Sequence, residues 1–244
     1  MYKGNIKFAA QLTDSTIEFQ PFSYNPADAG VDKVELQAPD GEQIIASVDV
    51  SGIASPDEGC ALAHIVVEAA LNRLSYFHQV AIGVAKITRK DFKSSQPGIV
   101  VEAATLVAEG QKIKLIAGLG ANDLKAVLEP PTLAGEKHFE ALRSARLSVS
   151  ATEEFLHLYG ILMRLFADKQ TAIDAFIVKR DPTVPQTQSL SPFAKQGEME
   201  TIYTRLRNEL AHKRPAPIDQ TKKDMATRVG DLRGIVRDAI KKDP

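Results

Sequence analysis

The chain is poor in cysteine, lacks tryptophan and has no long apolar run, and each shortage closes off a class of protein. Cys60 is the single cysteine, so no disulfide can form within the chain. No apolar run reaches the roughly 18 residues that a helical membrane span needs. The opening MYKGNIKFAAQL is too briefly apolar for a secretory signal. The expectation is a cytoplasmic protein with no membrane partner. Without tryptophan, a Trp-based stacking platform is excluded. Metal-ligand spacing is missing as well. Asp28, Asp32 and Asp40 are scattered through turns with no calcium-loop spacing. His64 and Glu68, four apart, offer two ligands without a third. Gly118-Leu119-Gly120 lacks both the third glycine and the Lys-Ser/Thr of a phosphate loop. No cofactor and no metal are expected.

What is present is an ordinary globular balance. The chain has 244 residues, 44% hydrophobic and 25% charged, enough for one or two domains with a sizeable core. The net charge of −1 is unevenly spread. Residues 1–132 carry 11 Lys/Arg against 16 Asp/Glu, and residues 133–244 carry 19 against 15. The mildly basic C-terminal part suits an anionic partner, although most such charges sit on solvated helix faces.

The first fifty residues read as short strands: IKFAAQL, STIEFQPF, VDKVELQA and QIIASVDV alternate in part and are β-favouring. Asp40-Gly41 marks a hairpin turn. A helix opens at Pro56-Asp57-Glu58, with Asp57 as the expected acceptor for its first backbone donors, and runs to about Phe77. It is apolar around much of its circumference, which predicts burial against the sheet. His78 is expected to finish it with a satisfied polar tip. Three more strands follow in VAIGVAKITRK, GIVVEAATLVA and KIKLIAGL, with KDFKSSQPG as a polar loop and a turn over residues 107–112. Pro130-Pro131 makes a stiff linker, which places the domain boundary between residues 1–132 and 133–244.

Beyond it the pattern is helical. Phe139, Leu142 and Ala145 begin a bundle. Ser150 and Glu153 form a capping-box signal before a helix with a broad apolar face from Phe155 to Phe166. A shorter helix spans 171–179. RDPTVPQTQSLSPFAKQ, polar with three prolines, reads as a long loop over 180–196. Residues 198–215, EMETIYTRLRNELAHKRP, read as one helix with Met199, Ile202, Tyr203, Leu206 and Leu210 on its stripe, stopped by Pro215. A last helix over 223–242 buries Met225, Val229, Leu232, Val236 and Ile240, leaving Arg228, Arg233 and Arg237 for solvent or RNA.

Chemistry concentrates at Arg207, Asn208 and His212. Arg207 is a permanent cation with a planar fork of donors suited to phosphate. His212 can exchange a proton near neutral pH. The RNELAH run, late in a helical C-terminal segment, resembles the Arg-x(4–6)-His signature of HEPN domains. The resemblance implies a helical bundle that pairs as a homodimer, with Arg and His from both copies lining one cleft. In active members it implies a metal-independent endoribonuclease. Arg207 would then steady the scissile phosphate, His212 would act in acid–base catalysis, and Asn208 would be the polar residue that often follows the Arg. Other members are non-catalytic binding or dimerisation modules. The layout as a whole also resembles MauJ-type accessory proteins of methylamine-utilisation operons, which implies an assembly factor with a protein partner at the N-terminal domain.

Helix geometry adds a condition. Residues five apart diverge by roughly 140°, so Arg207 and His212 do not share a face, whereas Asn208 and His212 do. A working site therefore needs convergence across a symmetric dimer. A second Arg-x4-His, Arg73 to His78, has Leu74 after its Arg and reads as structural. The fold expected is α+β: a strand-rich N-terminal domain with one buried helix, then an all-α HEPN-like bundle.

Overall fold

The computed structural model describes residues 1–13, 16–94, 100–104, 116–130, 132–189, 195–211 and 218–243. The chain divides into two compact units, Met1–Leu133 and Ala134–Pro244. The fold is α+β, with an antiparallel sheet carrying one long helix in the first unit and a mainly helical second unit.

Five strands build the antiparallel sheet: β1 (Tyr2–Gln11), β2 (Thr16–Tyr24), β3 (Val31–Ala38), β4 (Gln43–Ile53) and β5 (Lys86–Ser94). Two short edge strands, β6 (Val100–Ala104) and β7 (Ile116–Gly118), extend it in the order β6-β5-β1-β4-β3-β2-β7. β6 adds antiparallel to β5, and β7 adds parallel to β2. Alternation decides which face is buried. Val34, Leu36, Ala46, Val48 and Ile6 are fully or almost fully buried, and the residues between them are not. Each large apolar side chain buried this way contributes about 1.5–3 kcal/mol.

The buried face is covered by α1 (Pro56–His78), which contacts β4, β1 and β3. Its N-cap is Ser55, whose side chain accepts from Glu58 N, so Asp57 does not hold that place. Glu58 answers by accepting from Ala54 N. Serine wins because the cap residue must be extended, and Asp57 already lies inside the helix. His78 also departs from expectation, because its Nε2 is buried with no hydrogen-bond partner. A further helix, α2 (Ala121–Leu128), follows Gly120, where no helix was expected. Asp123 accepts from Gly120 N, and this reciprocal bond starts a helix too short to show a periodic stripe. The strand expected over 80–90 lies further on, so that Asp91, Phe92 and Lys93 belong to β5 rather than to a loop. The turn expected over 107–112 falls outside the described residues.

The second unit opens with a 3-10 turn, Glu136–His138, then α3 (Phe139–Arg146), α4 (Ala151–Leu165), α5 (Gln170–Arg180), α6 (Ile202–Ala211) and α7 (Ile218–Ile240). Ser150 caps α4 by accepting from Glu153 N, and Glu153 accepts from Val149 N. α4 and α7 form the centre, through fully buried Phe155, Tyr159, Leu162, Leu232 and Val236. Arg233 is not a solvent cation: its Nε and Nη2 both reach Glu154 at 2.6 Å across that interface.

The second unit is not all helix. Residues 180–196, expected as a loop, contain β8 (Gln186–Gln188), which pairs antiparallel with β9 (Met199–Thr201). The helix expected from residue 198 therefore begins only at Ile202, and Met199 is about half exposed rather than on a buried stripe. Three-residue strands are shorter than any alternation that a sequence can display, and Pro185 serves outside the ladder, its carbonyl accepting from Ile202 N.

Phe92 generates a test. Its ring lies against Gly4 of β1 and Gly59 of α1, where no Cβ fits. Gly4→Ala is expected to destabilise the first unit by about 1–3 kcal/mol through overpacking. Gly160→Ala, in mid-α4 with nothing near its Cβ position, is expected to stabilise by about 0.5–1 kcal/mol. Both are read as shifts of the urea midpoint at constant slope.

Candidate functional site

β9 runs into α6 without a loop, and the junction is held from outside by a carboxylate. Asp174, on α5 between buried Ile173 and Ile177, accepts three hydrogen bonds at Oδ1. They come from Thr201 N at 3.0 Å, Thr201 Oγ1 at 2.6 Å and Thr204 Oγ1 at 2.6 Å. The one proton of the Thr204 hydroxyl goes to the carboxylate, so Tyr159 OH, 2.7 Å away, donates to Thr204. Burial pushes the Tyr159 phenol above its ordinary range. Burial also raises the Asp174 carboxyl, aided by the charge of Glu200, while the threonine donors pull it down.

A second layer carries the motif residues. Asn208 is 1% exposed. Its Nδ2 donates to Glu200 Oε2 at 3.2 Å, and its Oδ1 accepts from Gln170 Nε2 at 3.2 Å and from Arg207 Nη1 at 2.9 Å. The amide thus has a defined orientation. Arg207 is half-buried, with its Cζ 6.0 Å from the centre of the Tyr159 ring, at the outer limit of cation–π contact. A guanidinium held by a buried amide and set beside an aromatic ring loses little freedom on meeting an anion.

Arg207 and Asn208 are therefore brought together by α6. His212 and Pro215 lie outside the described residues. Asp174, Glu200, Gln170, Tyr159 and Thr204 were not anticipated. Asp174 and Glu200 did leave one trace, as acids in otherwise apolar or β-branched runs, AIDAFIV and METIY. Gln170 left none.

Arg73 of the second Arg-x4-His, His64 and His157 have structural contacts, whereas Nε2 of His78 is buried and unpaired. Arg73 Nη1 donates to the carbonyls of Leu128 at 3.1 Å and Pro130 at 2.6 Å, closing the end of α2. Burial lowers the pKa of His78. His157 is exposed and bonds Ser148 Oγ. Glu68 accepts from Ala85 N, and His64 stacks at 6.0 Å from Phe8. Among the described residues, no three His, Cys, Asp or Glu side chains gather in a way that could hold a metal, and no helix is long and apolar enough to cross a membrane. No family model, no curated protein and no solved structure matches the chain.

The Asp174 junction makes a pH prediction. Its folded pKa is raised above the ordinary 3.8. The stability it contributes is thus complete below the unfolded pKa and lost as pH rises through the folded one. Asp174→Asn keeps an Oδ1 acceptor but cannot ionise. Its stability relative to the parent is expected to improve as pH rises from the acid range to neutrality. Asp174→Ala strands the threonine donors and is expected to cost about 1–3 kcal/mol. Urea midpoints of the three proteins across that pH range check both signs.

Proposed function

We propose that the second unit is a HEPN-like module that acts on RNA as a cytoplasmic homodimer, cleaving it without a metal. The observation that carries this reading is the pre-set guanidinium of Arg207, fixed through Asn208 to Glu200 and Gln170. Electrostatic catalysis depends on donors already oriented where negative charge develops, and a phosphoryl group at cleavage is such a place.

In the reaction a base removes the proton of a ribose 2′-OH, and that oxygen attacks the adjacent phosphorus. The P–O5′ bond breaks, the leaving 5′ oxygen takes a proton, and a 2′,3′-cyclic phosphate remains. Arg207 holds the phosphate, and His212 serves as a proton carrier. Asn208, buried, is a positioning residue: it holds the Arg207 fork and does not touch substrate. Pairing of two copies brings a second Arg and His to the cleft, which supplies both an acid and a base.

The second reading is a non-catalytic binding or assembly factor of the MauJ type. The complete burial of Asn208 favours it, because a closed hydrogen-bond network also serves a scaffold.

Incubation of the purified protein with mixed single-stranded RNA in EDTA separates the two. Cyclic-phosphate ends are expected, falling by about 10²–10⁴ in His212→Ala and comparably in Arg207→Ala, with dimer mass unchanged. Intact RNA in the presence of normal dimers would contradict the enzyme and leave the binding module.

A further inference from the structure

The first unit contains a cavity of about 280 Å³ between the end of β2, one stripe of α1 and the end of α2. Helix α1 supplies Val66, Ala69, Ala70 and Arg73, spaced so that they share one face. The two alanines set that wall back and leave the space. Leu128 and Pro130 close the opposite side.

Polar groups of both signs line the cavity. Tyr24, at the end of β2, is 8% exposed. Burial pushes its phenol up to about 12, Arg73 pulls it down and Asp28 pushes it up, so the hydroxyl feels both charges. The Arg73 head is fixed by its bonds to the Leu128 and Pro130 carbonyls. Two exposed carboxylates, Asp28 and Glu129, complete the lining. A cation, a phenol and two carboxylates thus line one cavity together with apolar walls.

We propose that this cavity binds a small zwitterion of the α-amino-acid class. Its carboxylate meets Arg73 and Tyr24, its short apolar side chain lies along Val66, Ala69 and Leu128, and its ammonium faces Asp28. A ligand with one charge fits less well: a simple anion meets the two exposed carboxylates, and a simple cation meets Arg73. Size excludes larger ligands, because the volume lies below the roughly 300 Å³ at which drug-sized pockets begin. The site lies in the first unit and does not depend on the RNA reading of the second.

The test is calorimetric titration of the full-length protein with glycine, L-alanine, L-valine and L-leucine, each alone. Propionate and n-propylamine serve as single-charge probes. At least one amino acid is expected to bind, and both single-charge probes are expected to bind about tenfold more weakly. Asp28→Asn should weaken the amino acid about tenfold. Ala69→Leu fills the cavity from an exposed helical position and should abolish binding while the circular dichroism stays native. The proposal is overturned if no amino acid binds, if propionate or n-propylamine binds equally well, or if either variant binds like the parent. RNA cleavage by the same preparation is read separately, so failure of one reading leaves the other standing.

Discussion

One carboxylate oxygen organises the second unit. Asp174 Oδ1 accepts two bonds from Thr201 and one from Thr204, so α5 sets where strand β9 stops and helix α6 begins. A buried carboxylate is costly unless its oxygen is satisfied, and here the same bonds that satisfy it also define a register. Shift α6 by one residue and Thr204 leaves Tyr159 and Asn208 leaves Gln170. The position of the motif arginine is thus a consequence of a contact on the opposite end of its helix.

This arrangement divides labour between residue types. The donors and acceptors of Asn208 are spent inside the protein on Gln170, Glu200 and Arg207. Arg207 lies further out, half-buried beside the Tyr159 ring. An arginine held in this way is suited to an oxyanion, because its planar fork keeps its orientation. The first unit follows different physics. Its sheet has one apolar face under α1, and its other face carries cross-strand polar pairs such as Asn5 with Asp49 and Ser47. A mixed-charge cavity lies at the end of β2.

The parts legible in the sequence were those with a period. The alternating strands of residues 1–53 and the long apolar helix α1 follow directly from spacing, as do α4 and α7. The capping box at Ser150 was readable because its two residues carry the whole signal. What escaped had no period or depended on distant partners. β8 and β9 are three residues each, too short to alternate, and METIY continues smoothly into the helical stripe of Ile202, Tyr203 and Leu206. Arg233 looked like one of three solvent arginines, because nothing local shows that Glu154, far back in the chain, waits across the α4–α7 interface. At the candidate site, Arg207 and Asn208 were visible as a motif. Gln170, Asp174 and Glu200 were not, since the contacts that give them meaning span 8 to 38 residues.

The most direct measurement is of the Arg207 side chain itself. Its Nε–Hε resonance, assigned with Arg207→Lys, would be followed in ¹⁵N-edited spectra while a 2′-O-methyl oligoribonucleotide, which cannot be cleaved, is added. The account predicts a saturable shift of that resonance, lost in Asn208→Ala, because a fixed guanidinium meets a phosphate. An Arg207 resonance that stays still while the oligonucleotide binds elsewhere, or does not bind at all, would contradict it.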